Sequence, residues 1–261
     1  MTPILHGRPL QSAIRRLDVG GKLLTNYLTH LLSLRHYDMR NDTYIVNEIK
    51  EKACYVSRDF KGDLEKMWKG TRGERRASYL SGAGIAKDYV LPDFHARAEG
   101  IVRDYDAASS AKAKKMAAAA SNEDVLTLRN ERFVVPELLF SPSDRRIRQP
   151  GLGELVMQSL SCLPIGLWPG LLANIVVVGG NAKFPDFIQR LQMEIVPLVP
   201  DECVVRVATP VDPITSTWRG AANFAKHPHA NRLAVTKQEY DEHGAQWVAR
   251  KFAAGLPPDM S

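Results

Sequence analysis

The sequence is poor in cysteine, and no two of its cysteines are spaced for metal binding. Only three occur among 261 residues, and no C-x-x-C motif is present. Neither a structural zinc site nor a disulfide framework is therefore indicated, and a reducing compartment is favoured. His227, His229 and His243 have no cysteine or acidic cluster beside them, so they predict no metal site. The three cysteines are Cys54, Cys162 and Cys203.

Several catalytic motifs and any long apolar run are also missing. The sequence contains no G-x-S-x-G, no G-x-x-x-x-G-K-[ST] and no G-x-G-x-x-G. These absences exclude a hydrolase nucleophile elbow, a Walker-type phosphate loop and a Rossmann fingerprint. The longest apolar region, 163–178, is interrupted by Pro164 and Pro169, so no contact with a membrane is expected.

The composition is that of an ordinary globular protein with an excess of positive charge. Hydrophobic residues make up 44% and charged residues 25%, and the net charge is +6. A chain of this length buries one or two sizeable cores. The positive charge favours acidic partners such as nucleic acid or the acidic surfaces of histones.

The most informative stretch is 174–195. The β-branched run 175–178 predicts a strand buried on both faces, and Gly179-Gly180 follows it directly. Pro185 suits the first turn of a helix, and apolar residues then recur at helical spacing. A strand, a glycine turn and a helix in this order point backbone N–H groups towards a phosphate or nucleotide. The alternative is a tight turn in an α/β sheet without a ligand.

The first sixty residues predict a hairpin or two strands over 3–18 and two helices. Gly20-Gly21 forms a second glycine turn before a helix over 22–34. Asp42-Thr43 is expected to cap the next helix, whose apolar face runs as far as Phe60. Lys50 and Glu51 lie on a different face, where their opposite charges could hold a ribose and the edge of a base. The alternative there is a solvated helix edge.

The segment 61–124 is predicted to be an insertion with little core of its own. It opens with a basic run over 61–76, and an alanine-lysine tract over 107–121 is expected to be mobile. Between them lies an apolar island over 89–94, expected to be exposed. This island predicts a partner-binding site, and the alternative is a tolerated expansion of a loop. The candidate partner-binding residues are Tyr89, Leu91 and Phe94.

Regular structure is expected again from residue 125 onwards. We predict strands over 125–128 and 203–208, and helices over 151–161 and from Thr217. Pro136 is expected to open a short helix. Trp218 is expected to be a core residue.

Five segments, in the same order, resemble the actin family. They are L-D-V-G-G-K-L-L-T-N-Y-L, I-V-N-E-I-K-E-K-A-C-Y-V-S-R-D-F, N-E-R-F-V-V-P-E-L-L-F, V-V-V-G-G-N-A-K-F-P and V-T-K-Q-E-Y-D-E-H-G. The resemblance implies an α/β, actin-like (ribonuclease H-like) ATPase fold, here as its C-terminal portion only, with a helical or irregular insertion. It implies a core subdomain over 1–18 and 148–214, and a smaller helical subdomain over 19–147. The segment 215–261 is then expected to pack on the other half of the fold.

The resemblance also implies a nucleotide cleft, of which this sequence matches the ribose and adenine side. Two positions depart from the family: Ile214 replaces a lysine that packs on adenine, and Arg145-Arg146 replaces an Ile-Gly turn, which is expected to disturb that turn. The two phosphate hairpins and the metal-holding acids find no match, so we expect no catalysis and no cofactor in this chain, and ATP only in a full-length form. The matched residues are Gly21, Lys50, Glu51, Gly179, Gly180, Asn181, Lys183 and Phe184.

Finer motifs resemble a nuclear branch of the family whose members are subunits of SWR-type chromatin remodellers. These motifs are V-G-G-K-L-L-T-N, Y-V-L-P-D-F, S-P-S-D, G-G-N and P-I-T-x-x-W. The resemblance implies a non-catalytic structural subunit in the nucleus, also present in the cytoplasm. Its partners would be other remodeller subunits, with nucleosomes, histones or DNA contacted through the basic run. The alternative is an actin-like protein that binds and hydrolyses ATP and forms filaments, although bulky insertions oppose repeated self-contacts.

Overall fold

The computed structural model describes residues 1–68, 84–95, 97–105, 123–227 and 230–253. They form two compact units. The central unit consists of Leu17–Leu152 and Lys183–Leu191, and the terminal unit of Met1–Arg16, Gly153–Ala182 and Gln192–Ser261. The subdomain boundaries expected from the sequence stay a prediction. The alanine-lysine tract and most of the basic run lie outside the described residues.

Helices and short strands alternate along the chain. The helices are α1 (Gly21–Arg35), α2 (Thr43–Ala53), α3 (Phe60–Met67), α4 (Glu131–Glu137), α5 (Leu152–Leu160), α6 (Trp168–Leu172), α7 (Phe187–Ile195), α8 (Ser216–Ala225), α9 (Ala230–Leu233) and α10 (Lys237–Ala253), the last with a kink at Gly244. The strands are β1 (Ile4–Leu5), β2 (Arg8–Pro9), β3 (Lys87–Val90), β4 (Ile101–Asp104), β5 (Val125–Leu128), β6 (Ile175–Val176) and β7 (Val207–Ala208).

In the central unit, α1 packs against α2 through leucines at helical spacing. Leu24, Leu28 and Leu32 of α1 are fully buried, which confirms the helix predicted over 22–34. The second helix ends earlier than expected, because Cys54 adopts an extended conformation and α3 begins anew at Phe60. Asp42 is the N-cap residue of α2, as predicted, but its side chain makes no capping hydrogen bond.

A three-stranded antiparallel sheet with the order β4-β3-β5 forms the other part of the central unit. Tyr89 of β3 lies opposite Val102 of β4 and Leu126 of β5, and its side chain is fully buried. The expectation of an exposed island is therefore wrong at Tyr89 and its neighbour Val90. The residues 89–90 are buried because they lie in the central strand, where cross-strand side chains and the helix α2 pack against them.

The short helix α4 contains Pro136 instead of starting at it, contrary to the sequence-based expectation. A proline inside a helix leaves the carbonyl four residues earlier without its N–H donor. That carbonyl belongs to Arg132, and it accepts a hydrogen bond from the Tyr55 N–H at 3.0 Å. The Arg132 guanidinium in turn donates to the Ala53 carbonyl at 2.7 Å, so α4 is bound to the segment that follows α2.

A buried ion pair attaches the segment 183–191 to the rest of the central unit. The Arg190 guanidinium donates to the Glu137 carboxylate at 2.8 and 3.1 Å and to the Ser57 carbonyl at 2.5 Å. It also lies over the Phe140 ring, 4.9 Å from the ring centroid. Two further contacts support the attachment: the Val56 N–H donates to the Pro185 carbonyl, and Arg58 pairs with Asp186.

The terminal unit contains the expected hairpin β1-β2 and a two-stranded parallel sheet of β6 and β7. The strand expected over 175–178 is limited to Ile175–Val176, and Val176 is 65% exposed. The expectation of burial on both faces is wrong because, in the described part of the chain, β6 pairs only with β7. The strand expected over 203–208 is likewise shortened to Val207–Ala208.

The helix α8 exposes the side chains that its sequence suggested would be buried. Trp218 is 71% exposed, so its assignment to the core is wrong. No residue of α8 is buried by the described residues, and the same is true of α10. An apolar side chain joins a core only where another element covers it, and no periodicity within α8 reports such an element.

We expect Arg190→Met to lower the free energy of unfolding by about 3–5 kcal/mol, because it leaves the Glu137 carboxylate buried without its partner. The double variant Arg190→Met/Glu137→Leu should recover most of this loss, since no buried charge then remains. Urea denaturation followed by circular dichroism measures both. The control is Arg58→Met, which removes an exposed ion pair and should cost less than about 1 kcal/mol. Equal losses in the single and the double variant would contradict this account.

Candidate functional site

The N-terminus of α1 forms one side of the candidate site in the central unit. Gly20 is extended and caps the helix, and its carbonyl accepts the Leu24 N–H at 3.1 Å. The next residue, Gly21, offers its carbonyl to the Thr25 hydroxyl at 3.0 Å. Four N–H groups at such a helix start have no partner within the helix, which gives this end a partial positive charge.

Lys50 lies directly beside this helix start. Its side chain is buried, with 5% of the residue exposed, and the ammonium donates to Asn47 Oδ1 at 2.7 Å, Thr25 Oγ1 at 3.0 Å and Gly21 O at 3.3 Å. Burial lowers the pKa of Lys50 below its ordinary value, and the nearby Glu51 opposes that shift. Three oxygen acceptors compensate the buried ammonium, so it is not part of a solvated helix edge.

Glu51 joins the same cluster through Asn47. The Asn47 amide accepts from Lys50 with its oxygen and donates from Nδ2 to Glu51 Oε1 at 2.8 Å. The structure therefore brings together Gly21, Lys50 and Glu51 of the predicted residues and adds Thr25 and Asn47. Sequence reasoning missed both additions. Their spacing gives a usable signal, since Thr25 is four residues from Gly21, and Asn47 three and four from the charged pair.

Two further predicted residues lie in the segment 183–191 of the central unit. Phe184 is buried, and its carbonyl accepts the Phe187 N–H at 3.2 Å at the start of α7. Lys183 is exposed. Because Phe184 is part of the packing, its ring is not an open stacking face for a base. Any role of these residues towards a nucleotide stays a prediction.

The remaining predicted residues form a glycine turn in the terminal unit. Gly179 has a φ of 99°, which favours glycine, and its N–H donates to the Pro213 carbonyl at 2.7 Å. Gly180 is exposed and begins a 3-10 helix that includes Asn181. A Cβ at Gly180 would have no other atom within 4 Å, so the backbone there is open to a ligand.

The two departures from the family motif fall in ordered turns. Ile214 is exposed, and its N–H donates to Asp212 Oδ1 at 3.2 Å. At Arg145-Arg146 the turn closes through a hydrogen bond from the Arg146 N–H to the Ser143 carbonyl at 2.8 Å, and the expected disturbance stays a prediction. Arg146 adopts the left-handed conformation there, with a φ of 60°.

Neither a metal-ion cluster nor a membrane-spanning helix occurs among the described residues. No group of three or more histidine, cysteine, aspartate or glutamate side chains is arranged to hold a metal ion. No helix in the same residues is long and apolar enough to cross a membrane.

Comparison with known proteins gives one family and a consistent set of relatives. The family model described as Actin matches residues 1–253. "Actin-related protein 6" of Neurospora crassa is 73% identical over 99% of this chain and 58% of its own length. "Actin-like protein arp6" of Aspergillus fumigatus is 49% identical over 98% and 56%, and "Actin-related protein 6" of Drosophila melanogaster is 36% identical over 96% and 59%. The chain thus spans between a half and two thirds of the length of these relatives.

The family match covers both units, including the glycine turn, the Lys50 cluster and the segment 183–191. The mixed helices and sheets agree with an actin-like α/β fold, as the sequence predicted. The chain belongs to the actin family.

Proposed function

We propose that the chain is a non-catalytic structural subunit of an ATP-dependent chromatin-remodelling complex of the SWR type. Such a complex exchanges a core histone for its variant in nucleosomes and so regulates transcription in the nucleus. Two observations support the proposal: relatives across 96–99% of the chain carry the name actin-related protein 6 or actin-like protein arp6, and the finer sequence motifs resemble the nuclear branch of the family. The whole protein would act as a scaffold, with the remodelling ATPase in a separate chain.

The observation that best supports the scaffold role is an exposed phenylalanine in the ordered loop between β3 and β4. We call this loop the Phe94 tip. Phe94 is 62% exposed and has a φ of 56°, a conformation that bulky residues seldom adopt. The Asp93 carboxylate accepts the N–H groups of His95 at 3.0 Å and Arg97 at 2.8 Å, and the Phe94 N–H donates to the Arg97 carbonyl at 2.9 Å. These bonds hold the ring away from the core.

The base of this tip is attached to α2, which keeps it in one position. The Gly100 N–H donates to the Glu48 carboxylate at 2.9 Å, and Lys52 pairs with both Glu48 and Glu99 at 2.7 Å. Burial raises the pKa of Glu48, but Lys52 and the Gly100 N–H outweigh it, so the pKa lies below its ordinary value. A contact residue that is already ordered loses little conformational entropy on binding.

The other two partner-binding candidates differ from Phe94. Tyr89 is buried in β3, and a Cβ at Gly100 would overlap its hydroxyl, so Tyr89 fixes the tip and is not itself accessible. Leu91 is half-buried, with its N–H bonded to the Asp124 carbonyl at 2.8 Å. Phe94 is therefore the proposed anchor, entering an apolar pocket of a neighbouring subunit.

Phe94→Ala should remove neighbouring subunits from the purified complex without lowering the amount of the protein itself, because the exposed ring supports no packing of its own. Affinity purification from cells followed by quantitative mass spectrometry measures the stoichiometry. The matched control is Tyr44→Ala, which removes a similarly large side chain that is 72% exposed on α2. Wild-type stoichiometry with Phe94→Ala, or the same loss with both variants, would rule out this anchor.

Two observations support the proposed absence of catalysis. Residues matched to the nucleoside side of the cleft are engaged within the chain, and the phosphate-binding motifs of the family find no match. The Lys50 ammonium already has three acceptors within the chain, and Phe184 is buried. Phosphoryl transfer depends on positioning of the phosphates and neutralisation of their charge. The matched motifs supply neither, so we propose that this chain holds no ATP and that nucleotide binding belongs to a full-length form.

Isothermal titration of the 261-residue chain with ATP should detect no micromolar binding, and a phosphate-release assay should detect no hydrolysis. In a full-length form, Gly180→Val should weaken nucleotide retention, because the branched side chain would occupy space that the nucleotide needs. The apo protein should keep its melting temperature, since a Cβ at Gly180 meets no other atom within 4 Å. Micromolar affinity, hydrolysis or filaments of the 261-residue chain would instead support an actin-like ATPase.

A further inference from the structure

An ordered turn in the central unit presents three exposed arginines that form no ion pair with any residue that the structure describes. We call Arg145, Arg146 and Arg148 the basic turn, and all three are exposed. Among the residues that the structure describes, no carboxylate forms an ion pair with any of them. Like charges grouped on one short turn raise the local positive potential, which attracts an external anion.

Backbone and side-chain hydrogen bonds fix the shape of the basic turn. The Arg146 N–H donates to the Ser143 carbonyl at 2.8 Å, and the Ile147 N–H to the Pro142 carbonyl at 3.3 Å. At its end, Gln149 Nε2 donates to Asp18 Oδ2 at 2.9 Å, and the Asp18 N–H donates to Gln149 Oε1 at the same distance.

The helix beside the basic turn, α1, adds no opposing negative charge. The Arg145 guanidinium lies 4.2 Å from the centroid of the Tyr27 ring on α1. No acidic residue occurs anywhere in α1, whereas Lys22 and His30 are exposed on it. His30 follows Tyr27 by three residues and therefore neighbours it on the helix surface. Asp144 is the one acidic side chain within the turn, so three arginines face a single carboxylate.

We propose that the basic turn binds the phosphate backbone of double-stranded nucleic acid, independently of base sequence. The guanidinium group binds phosphate through two parallel hydrogen bonds, and the turn contains three arginines and no lysine. A fixed turn holds these groups in place before binding, which lowers the entropic cost of the contact.

Two features favour a duplex over other polyanions. A protein interface usually needs an exposed apolar anchor, but Pro142 is buried and Ile147 half-buried within the turn. Single strands are held by bases stacking on open aromatic rings, and Arg145 covers the ring of Tyr27. The remaining interaction is with phosphates, which carry no sequence information.

The basic turn consists of other residues than the Phe94 tip and the basic run over 61–76, and the proposal does not depend on the role as a remodeller subunit. Loss of nucleic-acid binding would leave subunit stoichiometry unchanged, and loss of the Phe94 anchor would leave nucleic-acid binding unchanged. The two proposals can therefore fail separately.

The test measures binding of the whole chain to a short fluorescent DNA duplex of mixed sequence by anisotropy over a range of salt concentrations. In Arg145→Gln/Arg146→Gln/Arg148→Gln, the slope of log K against log salt should shrink by about 2.7, because each lost phosphate contact removes about 0.9. The control, Lys226→Gln/Lys237→Gln/Arg250→Gln, removes the same charge from exposed positions of the terminal unit and should leave the slope nearly unchanged.

Circular dichroism establishes that both triple variants are folded, and if the first is not, the three single variants decide, each with an expected reduction of about 0.9. Equal reductions in the two triple variants would overturn the proposal, because the effect would then follow from net charge. A labelled polyglutamate peptide is the second probe. If the basic-turn variant loses more affinity for this peptide than for the duplex, the partner is an acidic protein and the proposal is wrong.

Discussion

The central unit depends on one buried charge pair, Arg190 with Glu137. The arginine comes from α7 and the glutamate from α4, and the Ser57 carbonyl provides the third acceptor, from the segment that links α2 to α3. A buried guanidinium needs acceptors on several sides, so three separate parts of the chain must come together around it. The position of Phe184 and the start of α7 follow from this arrangement.

The sequence predicted those elements whose periodicity reports their own burial. The leucines of α1 recur every four residues, and the helix lies where they place it. The predictions that Tyr89 is exposed and Trp218 buried were wrong for a common reason: burial of an aromatic ring depends on which other elements cover it. The strands β4 and β5 and the helix α2 pack around the strand that contains Tyr89, whereas no described residue buries α8. The prediction for Pro136 was wrong because the Tyr55 N–H, 81 positions earlier in the sequence, replaces the missing N–H donor.

The residues of the candidate site were likewise predicted only in part. Family motifs named the glycines and the charged pair, because these residues stand in short matching segments. They did not name Thr25 or Asn47, which supply two of the three oxygens around the Lys50 ammonium. A motif matches residues one by one, whereas compensation of a buried charge is a property of the whole set of neighbours. The Phe94 tip was found as an apolar island, but its direction comes from Asp93 hydrogen bonds that hydropathy does not report.

The attachment of the hairpin tip to α2 has a mechanical consequence. Glu48 and Lys52 hold the loop that ends at Gly100, and Asn47 and Lys50 hold the start of α1. These four residues lie within six positions of one helix, a length of about 9 Å at 1.5 Å per residue. A helix moves as one body over such a short length. A shift of α2 relative to α1 would therefore also move the β3-β4 hairpin. The exposed ring of Phe94 and the buried ammonium of Lys50 are therefore both held in place by α2.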